Sequence, residues 1–110
     1  MQGKESPTNI VGRRLRERRE ALGLAQEKVG VAIGLDESSA RARISRYELG
    51  VHEPPYPVVK LLANVLKAPT LYMYCEDEDM AKLLLALHSL TSKEQKHVVN
   101  AMRDQLIARS

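Results

Sequence analysis

The chain has 110 residues, 44% hydrophobic and 28% charged, a length suited to one compact domain and a composition outside the range that leaves chains too polar to fold. Its single cysteine, Cys75, excludes an intrachain disulfide scaffold and fits a reducing, cytoplasmic setting; no stretch approaches the roughly 18 apolar residues of a membrane span, and the polar N-terminus lacks a signal-peptide core. The formal net charge of +3 favours polyanionic partners, while the lack of Trp and Phe leaves only four Tyr residues as stacking platforms, which disfavours single-stranded nucleic acid.

Gly and Pro punctuate segments of helical periodicity, which predicts an all-α fold of six or seven helices with no strand. Residues 1–7 read as a disordered tail. The first helix is expected from Thr8 to Leu22, with Ile10, Val11, Leu15 and Leu22 on its apolar side and Gly23 as C-terminal cap. Arg13, Arg14, Arg16, Arg18 and Arg19 crowd the same segment, a cluster suited to phosphates, with Arg13 and Arg14 as candidate backbone contacts. A short second helix is expected from Ala25 to Ile33, ended by Gly34. The turn and cap residues Leu35 to Ser39 place the start of a third helix near Asp36 or Ser38, and Gly50 stops it.

Pro54, Pro55 and Pro57 suit the entry to a fourth helix, Tyr56 to Lys67, with Val58, Leu61, Leu62, Val65 and Leu66 on its apolar face. A short helix around Leu71 to Tyr74 precedes the acidic run Glu76–Asp79, which complements the dipole of a helix from Asp77 to Leu90. Thr91 and Glu94 form the capping-box pattern of a last helix running to Ala108. These last two helices carry more apolar surface than a pair can hide, so residues 76–110 read as a dimerisation element using Leu84, Leu87, Val99, Met102 and Leu106, appended to a domain spanning 8–75.

On a 100° helical wheel Ala40, Ile44 and Tyr47 share one stripe of the third helix, while Ser38, Ser39, Ala42, Ser45 and Arg46 lie opposite, flanked by Arg41 and Arg43. Small residues with projecting arginines let a helix enter the major groove of double-stranded DNA, where guanidinium groups match guanine edges. His52, just past that helix, is a candidate phosphate contact. The three histidines lack metal-ligand spacing, the acidic run lacks the alternation and glycine of a calcium loop, and no catalytic signature is present, so neither cofactor nor enzyme activity is expected.

The segments GLAQEKV, IGL, ISRYELG, HEPP and VVKLLANVLKAP, in that order, resemble the lambda-repressor and Cro-like, or XRE, helix-turn-helix family over most of residues 10–74. The resemblance implies a lambda-repressor-like bundle of about five helices whose third helix reads bases, assigning Arg41, Ala42, Arg43, Ser45 and Arg46 to that role and Gln26 to the DNA backbone. It also implies a homodimeric transcriptional regulator, a repressor on a palindromic operator, with no small-molecule effector evident. An antitoxin-like protein whose main role is to bind a partner protein is the alternative. Gly34 and Ile44 stand ten positions apart where the family usually has about six, so the extra residues either lengthen the turn or extend the third helix, adding Ser38 and Ser39 to the reading set. Arg18 stands where the family often has a small or apolar residue, and its stem is expected to pack while its head reaches solvent.

Overall fold

The structure, a computed structural model, describes residues 9–109. These form α1 (Ile10–Ala21), α2 (Gln26–Ala32), α3 (Glu37–Leu49), α4 (Tyr56–Val65), a 3-10 turn (Thr70–Tyr74), α5 (Glu78–His88) and α6 (Ser92–Arg109), with no strand among the described residues. The expected tail 1–7 and the expected helix start at Thr8 lie outside them.

Several boundaries have a local cause. The Asn9 side chain accepts from the Gly12 N–H at 2.8 Å and so begins α1, a capping role that the sequence pattern did not single out. Gly23, Gly34 and Gly50 take positive φ after α1, α2 and α3. Lys67, beyond α4, also has positive φ (55°) without being glycine. Arg18, half-buried, donates to the carbonyls of Leu66 (2.9 Å) and Lys67 (3.2 Å), so its head, besides reaching the surface as expected, caps the end of α4. The Asp77 side chain caps α5 through the Met80 N–H, and the Thr91–Glu94 capping box closes in both directions at 2.9 and 3.1 Å.

The extra residues before Ile44 extend the helix and leave the turn short. Only Ile33 to Asp36 separate α2 from α3, and α3 starts at Glu37, two turns before Ile44. Close packing fixes how this longer helix crosses its neighbours. A Cβ on Gly30 would stand 2.6 Å from the Ala40 Cβ, and one on Gly12 would stand 2.6 Å from the Tyr47 carbonyl oxygen. Two glycines therefore let α2 and α1 approach opposite ends of α3.

Val11, Leu15, Val29, Ile44, Tyr47, Val59, Leu62, Leu66, Tyr72 and Met73 are buried in one core. Fully burying a large side chain of this kind contributes about 1.5–3 kcal/mol relative to exposure. Ala81 of α5 belongs to the same core, and Leu84 and Leu85 pack on its edge, so the core crosses the expected division between residues 75 and 76. Leu61, expected inside, is exposed, and Val59 takes its place. By contrast, α6 buries none of its residues. The radius of gyration is 16.0 Å, against about 13 Å for a compact domain of roughly 100 residues, consistent with a helix that projects from the body.

Candidate nucleic-acid interface

α3 has two chemically distinct sides. Ala40, Ile44, Tyr47 and Glu48 are buried, whereas Ser38, Ser39, Arg41, Ala42, Arg43 and Arg46 are exposed and Ser45 is half-buried. The residues expected to read bases thus share one outward face. Asp36 organises its leading end, where the Ser38 hydroxyl donates to the Asp36 carboxylate and the Ser39 hydroxyl to the Asp36 carbonyl at 3.3 Å. Each hydroxyl oxygen keeps lone pairs that can accept from a base edge. Arg41, Arg43 and Arg46 enter no ion pair among the described residues.

The arginines of α1 are placed otherwise. Arg14 is 1% exposed, and it donates to Glu17 (2.9 Å), Glu78 (3.2 Å) and the Cys75 carbonyl (2.8 Å). Its guanidinium carbon lies 5.5 Å from the centroid of the Tyr72 ring. Desolvation alone would lower its pKa, but hydrogen bonds to Glu78 and Glu17 outweigh that and raise it, so the buried group stays charged. Arg14 is therefore not placed for the expected phosphate contact, because it is buried and even its Nη2, which has no hydrogen-bond partner, is closed off from the surface. Arg13 reaches Glu78 at 2.7 Å and Glu17 at 3.8 Å, and Arg16 pairs with Glu20 at 3.3 Å. The cluster that looked most suited to a phosphate backbone is largely satisfied within the fold.

Arg19 and Gln26 meet on Glu48, a residue to which the sequence pattern gives no special role. Glu48 is 3% exposed and accepts from Arg19 Nε and Nη2 and, at 3.0 Å, from Gln26 Nε2. The hydrogen bond from Arg19 to Glu48 is the main reason that the Arg19 pKa is raised. This network ties the start of α2 to the end of α3 through α1. It leaves the second N–H of the half-buried Gln26 amide as a donor for an outside acceptor. His52 is exposed, and its backbone N–H donates to the Arg46 carbonyl at 3.3 Å, which holds it beside the C-terminal end of α3.

Two short helices joined by a four-residue turn, with the second helix presenting small residues and unpaired arginines, form a helix-turn-helix. The helix-turn-helix domain family matches the chain over residues 10–71. The protein belongs to the helix-turn-helix family. It is also similar to the crystal structure of the transcriptional regulator BswR, at 35% identity and a TM-score of 0.80, over 90% of this chain and 98% of that one. No curated protein matches it. No helix of the described residues is long and apolar enough to cross a membrane.

The helix-turn-helix is followed by a second exposed surface, which is apolar. Val99, Met102 and Leu106, spaced three and four apart on α6, are 42%, 40% and 58% exposed, and half-buried Leu87 of α5 faces them. With Arg103 and Ile107 they line an open hollow of about 410 Å³. Four of the five residues expected to mediate dimerisation therefore lie on this surface or at its base, while Leu84 is largely used by the core.

Proposed function

We propose that this helix-turn-helix protein is a sequence-specific transcriptional regulator of the XRE type. As a cytoplasmic homodimer it represses by occupying a palindromic stretch of double-stranded DNA. The observation that carries the reading is the outward face of α3, where Arg41, Arg43 and Arg46 are free of ion pairs while the arginines of α1 are held by protein groups. On this reading Ser38, Ser39, Arg41, Ala42, Arg43, Ser45 and Arg46 meet base edges in the major groove. Gln26, His52 and the partly exposed Arg13 meet the phosphate backbone. Dimerisation follows from α6, whose apolar stripe would otherwise stand in water. To read two half-sites one turn of DNA apart, the two-fold dimer would have to hold its two α3 helices about 34 Å from each other.

Selection of bound duplexes from a random library tests this. The expected result is an inverted repeat bound about a thousandfold or more above a scrambled duplex. Uniform, weak and strongly salt-sensitive binding would overturn it and favour a partner protein as the main ligand. On the selected site, Arg46→Ala should lose about 1–3 kcal/mol and relax the preference at one base pair, whereas Arg16→Ala, in its intrahelical pair with Glu20, should change little.

A further inference from the structure

Resting on the dimeric reading above, we infer that Glu78 is a positioning residue that sets which operator spacing the dimer accepts. If two copies join through α5 and α6, the distance between their recognition helices is set by how each α5 is held against its own reading body. Apolar packing of Ala81, Leu84 and Leu85 attaches α5 but is non-directional, leaving the helix able to pivot. The directional contacts lie at its first turn. The Glu78 carboxylate divides between two consecutive arginines of α1, with Oε2 on Arg13 Nη2 at 2.7 Å and Oε1 on Arg14 Nη1 at 3.2 Å. Arg14 cannot follow a moving partner, because it is buried, is held also by Glu17 and the Cys75 carbonyl, and lies against Tyr72.

The residue just before these arginines, Gly12, is where the backbone of α3 rests on α1, at Tyr47 and Glu48. Three successive residues of α1 therefore bear on both helices that matter: Gly12 seats the recognition helix, and Arg13 and Arg14 grip the helix that leads to the dimer surface. Adjacent base pairs stand about 3.4 Å apart, so a shift of only a few ångströms between the two recognition helices changes the accepted half-site spacing by one base pair.

The test measures binding of the full chain to operators whose two half-sites are moved apart or together by one and two base pairs. The wild-type protein should lose at least about tenfold in affinity for each misplaced spacing. Glu78→Ala should flatten that profile to within about threefold while its base preferences in each half-site, its dimer dissociation constant and its helical content stay at wild-type values. Glu78→Gln, which keeps the shape but not the charge, should fall between them. Glu78 is largely exposed, so both variants should fold, and a melting curve checks that they do. A sharp wild-type profile retained unchanged in Glu78→Ala would overturn this inference alone. A wild-type protein indifferent to spacing would remove the dimeric reading and this inference with it.

Discussion

Replacing Gly30 with alanine should destabilise the protein, although alanine is the better helix former by about 1 kcal/mol. The new methyl would stand 2.6 Å from the Ala40 Cβ, 2.9 Å from the Ala40 carbonyl oxygen and 3.0 Å from its Cα. Carbon atoms pack at about 3.5–4.0 Å, so α3 would have to withdraw from α2 by about 1 Å, and two of the three obstructing atoms are backbone that no rotamer change can move. Overpacking of this kind costs typically 1–3 kcal/mol, and because backbone is involved the upper part of that range applies. Set against the propensity gain, a net loss of about 1–2 kcal/mol is expected, or a melting temperature lower by about 4–16 °C for a domain near this size. Thermal unfolding at fixed protein concentration measures it, and the reciprocal variant sharpens it. Ala40→Gly should destabilise alone, yet combined with Gly30→Ala it should recover part of the loss, since the Cβ–Cβ clash disappears while the backbone of residue 40 still crowds the new methyl. A Gly30→Ala protein as stable as wild type, or a double variant whose loss is the plain sum of the two, would refute the close approach at this crossing.

Glu48→Gln should lower the unfolding free energy by about 3–5 kcal/mol, because the largely buried Arg19 loses its counter-charge and an NH2 group replaces one of the two oxygens that accept from Arg19 and Gln26, whereas Glu20→Gln at the exposed pair with Arg16 should change it by less than about 1 kcal/mol; chemical denaturation distinguishes them. On the proposed dimeric reading, Met102→Asp should leave helical content unchanged and yield a monomer in sedimentation equilibrium where the wild-type chain is a dimer; a variant that still dimerises would place the interface elsewhere. Stability should also fall in acid. Glu94, held by the Thr91 backbone and side chain, and Glu78, held first by Arg14, both have pKa values below the ordinary glutamate value of about 4.3. Their contribution is complete above that pH and is lost as pH falls through the lowered native values, so melting temperature should decline below about pH 4.5, with a shallower decline in Glu94→Gln.

Much of the fold was legible because local signals and tertiary packing agree. Ala40, Ile44 and Tyr47 repeat at helical spacing, and all three are buried. Gly23, Gly34 and Gly50 mark true helix ends, and the Thr91–Glu94 box forms as its spacing implies. Periodicity was less informative where several faces are apolar. In α4 the pattern admits either Leu61 or Val59 as a core residue, and the helix, packed on the 3-10 turn and α2, buries Val59. The ten-residue interval before Ile44 was ambiguous for a similar reason: Asp36 to Ser39 can cap a helix or form a loop, and Ala40 meeting Gly30 selects the helix.

The exposed face of α3 was legible in the sequence but the pairing of the charges was not, and the two sets of arginines show why. A helical wheel is enough to place Arg41, Arg43 and Arg46 away from the Ala40–Ile44–Tyr47 stripe. For α1, counting charge along the chain gave five cations in seven positions. Some partners are local, with Glu17 and Glu20 three or four residues away. The decisive ones are 29 and 64 residues distant, since Glu48 neutralises Arg19 and Glu78 engages Arg14. Arg18 is occupied by carbonyl groups, which no charge count includes. Of the arginines in these two helices, those left without a partner group among the described residues are therefore the three on the helix that would read DNA. Within α1 only Arg19 reaches that helix, through Glu48, while Arg13 and Arg14 hold α5 and Arg18 caps α4, so the same residue type braces the fold in one helix and supplies the reading surface in another.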